Sequence, residues 1–371
     1  MLATVPDSGA VQPGFRAPAE FRFDEVISEQ SGGGLDELVL VSPRPEDVEV
    51  SWKRNRIEIR PQGGWRAGTV YQVRLLPGVA DLRNNRMREG HELIFSTGPE
   101  IPATSISGTV INWPAGRLAP RALIEAIAGA GTTDSLVYAA QADSTGDFTL
   151  RALPPGEYLL LGTVDENNNQ RRDRRDAFDS VRVRLDSTSS HVLWAFVHDT
   201  VGPQLREATQ TDSVTVRLEF SQHLPPGPPG MDAVAAHLLP DSLTPVALDT
   251  VLLPDAWDSL RVREAATRDS LARLADTARA DTARADTAGV VARRPGGRAA
   301  QRRETPQDTS RATALLRQRG KLVNAWIVRL AAPLVPGSRY RFTARATNVN
   351  GAVAQSRTQL VVRDTATAVR R

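Results

Sequence analysis

The chain has 371 residues, 40% of them hydrophobic, and carries 46 Lys and Arg against 43 Asp and Glu, for a net charge of +3. It contains no cysteine, which excludes disulfides, thiolate metal sites and cysteine nucleophiles. No segment approaches the ~18 consecutive apolar residues of a membrane span. The near-cancelling charge, with no single basic face evident in the strand-like segments, argues against nucleic-acid binding.

At this length roughly two to four domains are expected, and 27 Gly with 25 Pro favour many short strands over long helices. The first strand-rich stretch runs to about residue 98. Glu20 to Ile27 sets Phe21, Phe23 and Glu25 on one face and Arg22 and Asp24 on the other. Val48 to Trp52, Arg56 to Pro61, Val70 to Leu76 and His91 to Gly98 repeat the period of two, with Gly63-Gly64, Pro77-Gly78 and Asn84-Asn85 between them. Short strands at this spacing predict an antiparallel sandwich.

A second stretch covers about Ile106 to Val197. Strands are expected at Ser105 to Ile111, Ala122 to Ala128, Ser180 to Leu185 and His191 to Val197. Three more lie between them, joined by turns at Asp143 to Gly146 and Leu153 to Gly156, where Pro pre-sets φ and Gly tolerates a positive one. A third stretch opens near Asp199, with strands at Ser213 to Phe220, Leu322 to Leu334, Ser338 to Thr347 and Arg357 to Asp364. Its interruption from Phe220 to Leu322 contains an Ala-Asp-Thr-Ala-Arg pentad repeated across 275–289. A period of five fits neither a helical stripe nor a pleated strand, so about 256–315 reads as a mostly disordered polyampholyte with at most fraying helix.

The first and third stretches look like copies of one another. Phe23-Asp24-Glu25-Val26 and Phe220 to Leu224 end comparable strands. Gly68-Thr-Val-Tyr71 and Gly337-Ser-Arg-Tyr340 open comparable later ones, each running to an Asn-containing turn at Asn84-Asn85 or Asn348 to Gly351.

On Pro6 to Gly9, "FRFDEVI", "RAGTVYQVRLLPGVADLRNN" and "LIFSTG", the first stretch resembles SbsA-type bacterial Ig-like domains. The third resembles a degenerate copy opening at Asp199 to Pro203. The middle stretch, on "SGTVIN" and "ADSTGDFTLRALPPGEYLLLGTVDENNN", resembles prealbumin-like modules of the carboxypeptidase regulatory-like or Cna-B-like kind. The resemblance implies an all-β chain of three tandem sandwiches: Ig-like over 1–99, prealbumin-like over 104–198, and Ig-like over 199–366 with the long insertion. It implies a non-catalytic, extracytoplasmic structural or interaction protein of the bacterial cell envelope, with a protein or an envelope polysaccharide as partner, no nucleic acid, and membrane attachment only through a lipid anchor. The Lys-Asn isopeptide chemistry of some Cna-B modules is not expected, because Lys53 and Lys321 are the only lysines and both lie outside the middle stretch. The lead-in at Asp199 to Pro203 has no counterpart before "MLATVP": either the true start lies upstream, where an export signal and a lipobox cysteine could be restored, or the chain has lost that segment.

Two candidate sites stand out. Asp165, Asn167, Asn169, Asp173 and Asp176 fall at positions 1, 3, 5, 9 and 12 of a calcium-loop register, the spacing that wraps oxygen donors round one hard cation. Against calcium, Gln170 replaces the turning Gly, Asp176 is shorter than the bidentate Glu, and Arg171, Arg172, Arg174 and Arg175 repel a divalent ion. The other reading is a solvated turn between strands. Trp65 and Trp113, flanked by turn residues, are candidate exposed platforms for a glycan. The five histidines form no zinc motif, and His198 reads as a strand-end partner of Asp199. No nucleophile elbow, phosphate loop or dinucleotide fingerprint is present, so no catalytic residue is assigned. A carbohydrate-binding surface protein and a calcium-stiffened adhesion module are the alternative functions.

Overall fold

Apolar residues alternate along most strands, which bury one face against a core. The computed structural model describes residues 3–31, 34–132, 135–167, 169–240, 244–280 and 309–363. By its contacts the chain divides into two units, Met1–His198 and Asp199–Arg371, and its buried apolar side chains gather in three cores.

In the first unit, β1 (Ala3–Val5), β2 (Ala19–Arg22), β3 (Val39–Ser42), β4 (Val48–Lys53), β5 (Arg56–Pro61), β6 (Val70–Leu75) and β7 (His91–Ser96) form two sheets, β1-β2-β5-β4 and β3-β6-β7. Phe21, Ile57, Ile59, Val73, Leu93 and Phe95 fill the space between them. On the outer face of β5 the buried Glu58 is held by Lys53 at 2.8 Å and Arg56 at 3.0 Å, which satisfies a charge that would be costly alone.

The second sandwich of this unit comprises β8 (Ser105–Asn112), β9 (Arg117–Leu118), β10 (Leu123–Ala128), β11 (Leu136–Gln141), β12 (Asp147–Arg151), β13 (Gly156–Val164), β14 (Ala177–Leu185) and β15 (Thr188–Ala195). One sheet runs β11-β10-β13-β14 and the other β12-β8-β15, with β9 on β8. The pairing of β15 with β8 is parallel. Gly108 marks this crossing. A Cβ there would stand 2.0 Å from the His191 carbonyl oxygen and 2.8 Å from Phe148 Cζ, so only glycine lets the strands approach.

In the second unit, β16 (Leu205–Gln210), β17 (Thr215–Leu224), β18 (Val234–Leu239), β19 (Pro245–Val246), β20 (Leu248–Leu252), β21 (Val323–Leu330), β22 (Arg339–Thr347) and β23 (Val353–Val361) build the sheets β16-β17-β21-β20 and β19-β18-β22-β23. With β19 set aside, this strand order is that of the first sandwich. The chemistry repeats as well. The Arg66 N–H donates to Tyr71 Oη at 2.7 Å, and the Val335 N–H to Tyr340 Oη at 3.0 Å. Asp81 Oδ1 accepts the N–H groups two and four residues on, as does Asn348 Oδ1.

One expectation is corrected here. Residues 221–255, to which the pattern assigns no strand, supply β18, β19 and β20. The insertion read over about 256–315 as a polyampholyte with fraying helix carries helix on its flanks, with α1 at Pro254–Ala280 and α2 at Thr309–Arg319. Residues 281–308 lie outside the described residues. Trp257 is buried at the start of α1, and Glu264 holds Arg329 of β21 at 3.2 Å. This burial anchors the first turns of a helix that the polar repeat alone would not dock. In the first sandwich the equivalent strands, β4 and β5, are joined by Arg54 and Asn55 alone.

Candidate functional site

The loop between β13 and β14 holds Asp165 to Asp176. Asp165 is buried at its root, and its carboxylate accepts the Asn169 N–H at 3.2 Å and the Gln170 N–H at 2.8 Å. Asn167 Oδ1 accepts the Asn169 N–H at 3.1 Å, and Asn169 Oδ1 the Arg171 N–H at 2.8 Å. The amide groups of Asn167 and Asn169 donate to Asp173 Oδ2 at 2.9 and 3.0 Å, and Asp176 Oδ2 accepts the Asp173 N–H at 2.8 Å. All five residues of the calcium register thus meet in one loop, with their oxygens satisfying the loop's own N–H groups. Gln170 takes the left-handed φ of 57° that glycine supplies in a calcium loop. Among the described residues no group of three or more Asp, Glu or His is gathered to hold a metal ion.

Gln170 also ties this loop to the first sandwich. Its carbonyl accepts Arg44 Nη2 at 2.7 Å, and its own Nε2 donates to the Glu37 carbonyl at 2.9 Å. Arg44 Nη1 pairs with Glu125 of β10 at 3.1 Å. Burial holds the Arg44 guanidinium below its ordinary range, with Glu125 acting against that shift and Arg171 adding to it.

From Arg44 a seam runs between the two sandwiches. The Arg44 N–H donates to the Val137 carbonyl at 2.6 Å, and the Ala139 N–H to Ser42 Oγ at 2.9 Å. Gln72 Nε2 donates to the Arg151 carbonyl. Arg74 reaches the Thr149 carbonyl at 2.8 Å through Nη2 and Glu92 at 2.6 Å through Nε. Ser42 and Gln72 are both 1% exposed. Period-two reading places Gln72 and Arg74 on the polar face of β6, which in an isolated sandwich faces water. Here β12 lies against that face, its Arg151 and Thr149 carbonyls accepting from Gln72 and Arg74. Beside the seam opens a cleft of about 360 Å³ lined by Arg74, His91, Glu92, Asp143, Asp147 and Arg151. Its acids hold structure: Glu92 pairs with Arg74, Asp143 accepts the Thr145 and Asp147 N–H groups, and Asp147 accepts the Thr109 hydroxyl at 2.5 Å.

The tryptophan expectation is corrected for Trp113. Trp113 is 4% exposed and meets Trp194 and Phe196 edge-on. Trp65 is half-buried, packs on Phe15, Tyr71 and Phe95, and donates Nε1 to the Ala17 carbonyl at 2.8 Å. The buried Trp113 is a packing element with no free face for stacking a sugar, whereas Trp65 packs on three aromatic rings and stays partly exposed. His198 likewise departs from its expected pairing with Asp199. Its ring stacks on Phe178 and Phe196, with centroids at 3.9 and 4.2 Å, and Nδ1 lies 3.0 Å from the Phe196 carbonyl oxygen. Arg172 of the Asp165 loop lies over the same Phe178 ring at 4.8 Å.

Residues 1–97 match the family model of the bacterial Ig-like domain. No curated protein matches the sequence. Among solved structures, the major pilin subunit of Bacillus cereus aligns at 10% identity and a TM-score of 0.20, covering 53% of this chain and 69% of the pilin. A DUF3823-family protein of Bacteroides uniformis aligns at 8% identity and 0.19, covering 70% of this chain and all of its own. A putative carbohydrate-binding protein of the same organism aligns at 9% identity and 0.19, with the same coverages.

Proposed function

We propose that this chain is a non-catalytic, extracytoplasmic structural or binding protein in which residues 3–198 act as a stiff two-sandwich spacer. The observation that carries this reading is the seam: a backbone bond, a buried serine, a buried glutamine and the two-acceptor Arg44 clamp span the contact between two separate cores. A flexible string of modules would leave those groups to water. The bacterial Ig-like match over 1–97 supports the export and the structural role, and the three filled interiors support a protein that works through its surfaces.

Amide hydrogen exchange on the intact chain tests it. The Arg44 and Ala139 N–H groups are expected to exchange as slowly as core strand amides. In Arg44→Ala both should speed up by at least about tenfold, because a partly buried ion pair and a charged hydrogen bond are lost together. Fast exchange at these two amides in the unaltered chain would remove the spacer reading.

A further inference from the structure

The four strands β19-β18-β22-β23 contain Arg339, Arg341, Arg345, Arg357 and His237 and not one Asp or Glu. The sequence reading finds no single basic face, because the cations alternate with inward-facing residues along β22 and β23 and only the pairing of the strands sets them side by side. The register brings them together. Tyr340, Phe342, Ala344 and Ala346 of β22 enter the core, so Arg339, Arg341, Thr343, Arg345 and Thr347 take the outer face. On β23 the outer positions opposite them are Val361, Gln359, Arg357, Gln355 and Val353 in that order, and all five are exposed. Across β18, His237 stands opposite Arg341.

The other sheet of the same sandwich shows that this is not the ordinary pattern of the fold. There Arg217 pairs with Glu219 at 2.8 Å, and Arg329 with Glu264 at 3.2 Å and Asp249 at 3.5 Å. None of the four arginines of the basic face has an ion pair among the described residues. Each stands opposite a neutral residue on β23, or opposite β22's Thr343 in the case of Arg357. Arg357 lies diagonal to both Arg341 and Arg345, at Cα separations of about 7–8 Å. From Arg339 to Arg345 the row runs about 20 Å at strand rise.

We propose that this face binds a polysaccharide bearing repeated carboxylates. The proposal rests on the reading of the chain as a binding module and adds its ligand class. Guanidinium groups accept carboxylates in pairs of parallel hydrogen bonds, and a row of them fits an acid repeated along a linear polymer. Gln355, Gln359, Thr343 and Thr347 lie between the charges and offer amide and hydroxyl groups to sugar hydroxyls. The four strands place no Phe, Tyr or Trp on this face, which disfavours single-stranded nucleic acid, whose bases need stacking platforms. Its apolar side chains outside the charged centre include Val353 and Val361 at the two ends of the β23 row. A bilayer or a protein partner calls for larger buried anchors.

Titration of the full chain with polygalacturonate at low ionic strength tests this. Binding is expected to weaken as salt is added and to fall at least about tenfold in Arg341→Gln/Arg345→Gln/Arg357→Gln, since charge-assisted bonds are lost at three positions. Arg217→Gln, in the paired sheet, should bind as the unaltered chain does, and the fully methyl-esterified polymer should not bind. The proposal is overturned if polygalacturonate does not bind, if the triple variant binds unchanged, or if a single-stranded oligothymidylate or vesicles of anionic phospholipid bind as tightly. Should the triple variant lose its β-sheet circular dichroism, the comparison of acid and ester polymers on the unaltered chain decides alone. The spacer is read by exchange at Arg44 and Ala139 and this face by titration, so either can fail without the other.

Discussion

His191, His198 and His223 are held below the ordinary imidazole range by burial, and for His198 the neighbouring Arg172 adds to the shift while the Phe196 carbonyl and Asp179 oppose it. The neutral ring is therefore favoured in the folded chain, whereas the unfolded chain takes up a proton near pH 6.5. Above that value both states are neutral and stability is intact. As the pH falls below it the unfolded state binds more protons, and stability drops until the folded rings titrate as well. Calorimetric melting temperatures are expected to decline from pH 7 to pH 5, and His198→Phe, which keeps the stack on Phe178 and Phe196, should flatten part of that decline. An identical slope in the variant would show that His198 takes no share. None of this environment could be read along the sequence, where His198 has an acid as its next neighbour while its actual contacts come from β14 and from two residues back. Trp113 shows the same gap: Gly, Pro and Asn nearby suggest an exposed turn, but Trp194 and Phe196 close over the ring from a strand some 80 residues on.

Strand by strand, period-two alternation was a good guide wherever one face met a core. Ile57 and Ile59, Phe148 and Leu150, and Tyr340 and Phe342 all point inward as the pattern requires. It failed on short strands such as β3 and β19, which are too brief for a period to register, and on β6, whose polar face is covered by another sandwich. The internal repeat was legible because its markers are local. Tyr71 and Tyr340 each bond an N–H five residues back, and Asp81 and Asn348 each close a turn through N–H groups two and four residues on. Equivalent geometry implies equivalent energy. Tyr71→Phe and Tyr340→Phe should each cost about 1 kcal/mol by leaving one N–H without its acceptor, read by chemical denaturation. A cost several times larger in one than in the other would show that the shared geometry hides different surroundings.

Taken whole, the chain couples its cores unevenly. The sequence suggests three modules in a row, whereas the seam bonds the first two to each other and the contacts set Asp199–Arg371 apart. Calorimetry is therefore expected to resolve two unfolding transitions, the larger from Met1–His198. Arg44→Ala should lower that one alone, since its partners Glu125 and Gln170 all belong to it. Three separate transitions in the unaltered chain would mean that the seam is too weak to join the cores. The inserted helices have a mechanical meaning of their own. The arm departs after β20 and re-enters at β21, and these two strands are hydrogen-bonded neighbours. A pull along the polypeptide therefore passes across that ladder and bypasses the arm. While the ladder holds, the inserted residues are shielded from tension; when it tears, the roughly 70 residues between β20 and β21, at about 3.4 Å each and on the order of 240 Å of contour, come under load together. In a stretched protein, that stretch would behave as a fuse that lengthens under overload and spares the remaining sheets.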